Sequence, residues 1–210
     1  MTDPVTIRLA TPADAAPIAD LHVRSWRSAY RGMMADVYLD GPIEAERRRV
    51  WQDRFAEGLS RRVIAVAETG PGPLAAFACL EAEADPRWGT LIDNLHVDPA
   101  RKGRGLGGYV LAAALRALPA DALSRPAYLY VIEANARARA AYDAWGGEVV
   151  EALTKDEPDG SAIPVLRYAW PSAAGLLGRL SGSSRPDTKR PGATAGPGLG
   201  DESRPQAASS

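Results

Sequence analysis

The chain has 210 residues, 46% hydrophobic and 24% charged, with a formal net charge of −1 and a pI near 6.2. That length buries a sizeable core without metals or disulfides, and the near-neutral balance gives no electrostatic ground for nucleic acid or an anionic membrane as partner. The opening residues lack the apolar core of a signal peptide, and no apolar run approaches the roughly 18 residues of a membrane helix, so cytoplasmic residence is the expectation.

A strand opens the chain at Val5-Thr6-Ile7-Arg8-Leu9. Thr11-Pro12-Ala13-Asp14 then supplies a helix start, a capping residue with proline behind it and an acid three on, and Ile18, Leu21, Ser25 and Trp26 follow at helical spacing. A second helix is expected over 42–55 with Ile43, Val50, Trp51 and Phe55 inward. Two β-like runs, 62–68 and 74–82, flank Thr69-Gly70-Pro71-Gly72-Pro73, which reads as a hairpin turn. The single cysteine, Cys79, lies in the second run as a small buried hydrophobe; it has no internal disulfide partner and no histidine near in sequence to activate it. A third strand over 89–97 leads through Asp98-Pro99 into a glycine-rich loop and a helix over 106–118. A strand at 127–131, a helix over 135–145 and strands at 148–153 and 163–170 complete the pattern. The fold class is α/β: a single mixed, mostly antiparallel sheet flanked by helices on both faces, with one parallel crossover around the glycine loop. From Pro171 the chain is rich in Pro, Gly and Ser, and 171–210 is expected to be a disordered tail beyond a domain over 1–170. Exposed strands at the C-terminal end leave room for a homodimer.

The loop Lys102-Gly103-Arg104-Gly105-Leu106-Gly107-Gly108 admits three phosphate ligands. A P-loop needs Lys and Ser or Thr after its last glycine, where Tyr109 and Val110 stand. Gly103-x-Gly105-x-x-Gly108 satisfies the dinucleotide fingerprint, with Glu133 after the next strand. Against it, five residues separate the strand from the first glycine, and the unit lies mid-chain behind antiparallel-looking strands. The third is a diphosphate held by backbone N–H groups at a helix start. Arg101, Lys102 and Arg104 add three positive charges, which suits a cofactor with a further phosphate, as coenzyme A has.

The segment Leu95-His96-Val97-Asp98-Pro99-Ala100-Arg101-Lys102-Gly103-Arg104-Gly105-Leu106-Gly107-Gly108 resembles the acetyl-CoA-binding motif of the GCN5-related N-acetyltransferases (GNAT), a strand ending in Val-x-Pro followed by Arg/Gln-x-x-Gly-x-Gly and a helix. Asn135 with the helix carrying Tyr142 and Gly146 resembles the family's next motif, and residues 7–32 resemble its first strand and acceptor-lining helices. The resemblance covers about residues 5–170.

It implies an enzyme that moves the acetyl group of acetyl-CoA to a primary amine of a small molecule or protein, with no metal. Tyr142 would give a proton to the departing thiolate. Leu95 and Val97 would offer backbone N–H groups to the pantetheine arm and the thioester carbonyl, with His96 between them packed on the other face. Lys102, standing where the family has Arg or Gln, would pair with phosphate together with Gly103, Arg104, Gly105, Leu106, Gly107 and Gly108. Asn135 would bind the pantetheine or cap its helix, and Arg139 is a further phosphate candidate. The carboxylate that several members carry falls at Leu91 here, so Asp93, two residues on, is the candidate base, with Glu81 behind it. Trp26 and Tyr30, with Met33 and Met34, would wall the acceptor pocket, and Asp156, Glu157 and Asp159 would attract a cationic amine. A non-catalytic acyl-CoA-binding module is the alternative, given the missing carboxylate at Leu91. No His, Cys or carboxylate cluster has metal-ligand spacing.

Overall fold

Ala76-Phe77-Ala78-Cys79-Leu80 carries no charged side chain for five residues, and all five are fully buried at the start of strand β3 (Ala76–Asp85). A strand that reads apolar on both faces is one covered on both faces. Ala76, Ala78 and Leu80 join one core cluster, Phe77 and Cys79 another on the opposite side of the sheet. Burial pushes the Cys79 thiol up to about 12, so it serves as a packing residue.

The protein is seen here as a computed structural model that describes residues 4–156 and 160–182. Around β3 lie β1 (Val5–Leu9), β2 (Arg62–Thr69), β4 (Gly89–Val97), β5 (Ala127–Ile132), β6 (Glu148–Asp156) and β7 (Ala162–Trp170), in the sheet order β1-β2-β3-β4-β5-β7-β6. Every pairing is antiparallel except β4 with β5, the parallel crossover expected around the glycine loop. Three helices cover one face, α1 (Ala15–Ala29), α2 (Asp36–Asp40) and α3 (Ile43–Ala56). The other face carries α4 (Leu106–Arg116), the short α5 (Ala120–Ser124), α6 (Ala136–Ala144) and α7 (Ala173–Gly182). The short helices α2 and α5 lie in stretches where no sequence signal had placed an element.

Local chemistry explains the element starts. The Thr11 N–H and hydroxyl both donate to the Asp14 carboxylate, at 2.7 and 3.0 Å, and the Arg8 fork closes on the same group at 2.8 Å. Arg8 holds the Asp14 carboxyl below the usual range, its hydrogen bonds outweighing the opposing effect of burial. At the start of β4, Gly89 has φ of +72°, and a Cβ there would sit 2.1 Å from the Pro126 carbonyl oxygen. That close approach seats β4 beside β5, with the Thr90 N–H donating to the same oxygen at 3.0 Å.

The C-terminal expectation is corrected over 173–182. Ala173, Leu176 and Leu180 are buried on one side of α7, which packs in the same core as α4. An apolar stripe at i, i+3 and i+7 buries enough surface to dock, at roughly 1.5–3 kcal/mol for each fully covered leucine. Residues 183–210 lie outside the described ones.

Candidate active site

The β4–β5 ladder pairs Thr90 with Ala127 and Leu91 with Tyr128, and among the described residues it goes no further. Beyond that point the two strands part. On its other side β4 stays paired with β3 as far as Val97, and the Asp98 N–H continues onto the Ala75 oxygen at 2.8 Å. N–H groups alternate sides along an antiparallel strand, so those of Leu95 and Val97 face the opening toward β5. A cavity of about 320 Å³ occupies this opening, lined by Leu95, His96 and Val97 from β4 and by Tyr130 and Val131 from β5. That volume suits a small-molecule or cofactor site.

The glycine loop closes one end of the cavity. The Asp98 side chain accepts from the Ala100 N–H at 3.0 Å and pairs with Arg24 of α1 at 3.2 Å, which fixes the exit from β4. Gly103 and Gly105 take φ of +84° and +74°, conformations that side-chain-bearing residues rarely adopt. Gly105 caps α4, whose first intrahelical bond here runs from the Tyr109 N–H to the Gly105 oxygen at 3.2 Å. The N–H groups of Leu106, Gly107 and Gly108 therefore have no partner within the helix, and all three residues line the cavity. Two cations stand with them, Lys102 and Arg137. Burial lowers the Lys102 pKa, and Arg137 lowers it further against the opposing pull of Asp98. A partly buried lysine and an exposed arginine beside open helix amides form a site that favours an anion.

Across the opening, Tyr142 of α6 packs against Trp145 and Tyr168, with ring centroids 5.8 and 5.6 Å away, and lines the cavity. Burial raises its phenol well above the ordinary value, with Tyr30 and Tyr168 adding to the effect, so the O–H stays protonated. Asn135 both lines the cavity and caps α6, its side-chain oxygen accepting from the Ala138 N–H at 3.2 Å. Ser25 and Ala29 of α1, and Tyr30 just after it, also line the cavity.

Lys102, Gly103, Gly105, Leu106, Gly107, Gly108, Leu95, His96, Val97, Asn135, Tyr142 and Tyr30 line one cavity. Three expected residues do not. Asp93 is the extra residue of a β-bulge, since Leu80 pairs with Ile92 and Cys79 with Asn94. The bulge aims its carboxylate at Arg54 of α3, 2.6 Å away, and away from the cavity lining. Trp26 packs between His22 and Tyr30, at 5.0 and 5.3 Å, beneath the Arg47 guanidinium, outside the lining. Arg104 is exposed beyond the lining. Of the weaker candidates, Met34 is buried with α2, Arg139 donates to the Glu133 oxygen at 3.0 Å, and Glu81 lies 3.8 Å from Arg62. Glu157 and Asp159 lie outside the described residues. Arg137 and Leu180 are among the lining residues that were not expected at the site.

A mixed sheet split between two parallel strands, with a glycine-rich helix start at the split, frames the cavity. Residues 20–146 match the family described as the Acetyltransferase (GNAT) family, and the chain belongs to it. A Mycobacterium tuberculosis protein named as a probable N-acetyltransferase is 29% identical over 142 residues, 66% of this chain and 77% of that one. Among solved structures, the Thermoplasma acidophilum PaiA N-acetyltransferase in complex with coenzyme A matches with a TM-score of 0.61 at 18% identity, covering 79% of this chain and 99% of that one. Salmonella typhimurium YncA with acetyl-CoA matches at 0.56 and 17% identity, over 87% and 98% of the two chains. No helix among the described residues is long and apolar enough to cross a membrane.

Proposed function

We propose that the protein transfers the acetyl group of acetyl-CoA to a primary amine, by direct attack of the amine on the thioester. The observation that carries this is the convergence, in one cavity, of helix-start amides with no partner in their helix, the cations Lys102 and Arg137, β4 N–H groups that face the opening and a protonated buried tyrosine. In this scheme the diphosphate lies on the N–H groups of Leu106, Gly107 and Gly108, and Lys102 and Arg137 balance its charge. The Leu95 and Val97 N–H groups pair with the pantetheine arm and with the thioester oxygen as negative charge develops on it. Tyr142 donates its proton to the sulfur as the C–S bond breaks, and Tyr30 borders the incoming amine.

Acetylation is tested by following CoA thiol release with 2-phenylethylamine, spermidine and a lysine-containing peptide as acceptors. Release that depends on the amine, with the acetylated amine identified by mass, is the expected result. Acetyl-CoA binding without turnover of any amine would instead favour the non-catalytic acyl-CoA-binding module.

A further inference from the structure

Two cations touch one aromatic side chain of the cavity lining, and the proposed reaction uses neither. Tyr130 of β5 lines the cavity and packs, like Tyr30, against the apolar cluster on the face that α1, α2 and α3 cover. Arg167 is its cross-strand partner on β7 and donates from Nη2 to its phenolic oxygen. The Lys155 ammonium of β6 lies over the same ring, 3.3 Å from its centroid. Arg167 is itself set among three rings, its guanidinium carbon 5.0 Å from Trp88, 5.6 Å from Tyr128 and 5.0 Å from Tyr130. Its ion-pair partner is the exposed Glu151, at 2.7 Å. The β6–β7 register runs without a shift from Glu151 to Asp156, so strand alternation turns the exposed Asp156 to the face opposite Lys155.

A tyrosine ring attracts an ammonium to its face, and Lys155 already supplies one to Tyr130. The phenolic oxygen has likewise accepted from a guanidinium. A further positive group brought along the Tyr130 wall therefore meets two like charges, whereas a carboxylate there meets two opposite ones. Among the described residues, the ionised side chains of the lining itself are Lys102 and Arg137, which carry charge of the same sign.

Building on the proposed acetyl transfer, we infer that Lys155 and Arg167 determine acceptor specificity, favouring a small amine that bears a carboxylate, as an amino acid does, over an amine that bears further ammonium groups. The carboxylate lies along the Tyr130 wall toward Lys155, and the amine nitrogen is left to attack the thioester carbon. The two residues act on the binding and orientation of the acceptor and take no part in proton or acyl transfer. Rejection of a polyamine and selection of a carboxylate are made by the same two side chains, the first by repulsion and the second by attraction.

The experiment measures CoA release by the full chain with two pairs of amines that differ only in a carboxylate, phenylalanine with 2-phenylethylamine and leucine with 3-methylbutylamine, and with spermidine. Rates are expressed per free amine, because a carboxylate lowers the basicity of the amine beside it. The wild type should favour the carboxylated member of at least one pair by about tenfold in kcat/KM, the scale of one hydrogen bond to a charged group. Spermidine should be the poorest acceptor. Lys155→Gln should narrow the carboxylate preference, and Lys155→Glu should reverse it and raise spermidine relative to the amino acids. Each readout is a ratio of acceptors within one variant, so a general loss of folded enzyme cancels. Arg167→Gln should narrow the preference as well, but Arg167 also supports three rings and Glu151, so the Lys155 variants carry the test. Equal or better use of the decarboxylated amines by the wild type, turnover confined to the lysine-containing peptide, or a preference that Lys155→Glu leaves unchanged would overturn the specificity assignment alone. A wild type that releases no CoA with any of these amines or with the peptide would overturn the acetyl-transfer proposal, and this inference with it.

Discussion

In the proposed reaction Tyr142 separates binding from chemistry at the scale of a single atom. Replacing it with Phe removes the O–H and leaves the ring contacts with Trp145 and Tyr168 in place. Turnover should fall tenfold or more, by analogy with the lower range of general-acid effects, with acetyl-CoA affinity nearly unchanged; paired kinetics and calorimetry check both. Gly105 makes the opposite prediction. An alanine there must hold φ at +74° and place its Cβ 2.9 Å from the Tyr109 ring, so Gly105→Ala should cost about 1–2 kcal/mol of stability and weaken acetyl-CoA binding. Denaturant unfolding and calorimetry read the two effects separately.

Residues were legible in the sequence where a short contiguous run carried the signal. The glycine loop and the 89–97 strand fall where expected because glycine spacing and strand alternation are local. Asp93 misled because alternation assumes a regular strand, and one bulged residue redirects the side chain. Arg137 escaped notice beside Arg139 because residues two apart on a helix point in nearly opposite directions, and only the packing of α6 shows which of them meets the cavity. Trp26 shows the same limit on α1, where helical spacing gave burial but not which neighbour it buries against.

At the scale of an element, α7 is the part that composition concealed. Gly175, Gly178, Ser181 and Gly182 make it look like tail, yet Leu180 lies 3.5 Å from where a Gly108 Cβ would stand and lines the cavity. Leu176, fully buried, belongs to the core and not to the lining. Both Leu176→Ala and Leu180→Ala should destabilise by about 2–4 kcal/mol, and only the second should also raise KM for acetyl-CoA. Equal effects on KM would mean that α7 acts on the site solely through stability. The glycines at 107 and 108 fit the same packing, because α4 meets Val97 on one side and Leu180 and Trp145 on the other.

For the whole molecule, two buried neutral histidines tie stability to pH. Burial lowers both His22 and His96, so the unfolded chain takes up protons near its ordinary pKa of about 6.5 that the folded chain refuses. Their contribution is complete above about pH 6.5 and is lost as pH falls toward the folded value near 3 for His96. Between pH 7 and 5 His96 alone should remove about 2 kcal/mol from the unfolding free energy, with His22 acting in the same direction. Urea unfolding at the two pH values checks this, and stability that is flat or rising toward pH 5 would contradict it.

The central claim, that the glycine loop cradles the diphosphate of coenzyme A, is most directly tested by thermal unfolding of the full chain with acetyl-CoA, CoA or NAD. Ligand at about 100 times Kd adds about 2.7 kcal/mol, which at roughly 2–4 °C per kcal/mol is an easily read shift. A rise with acetyl-CoA and with CoA, and none with NAD, is the predicted result. A rise with NAD alone would contradict the account and make Gly103-x-Gly105-x-x-Gly108 a dinucleotide site.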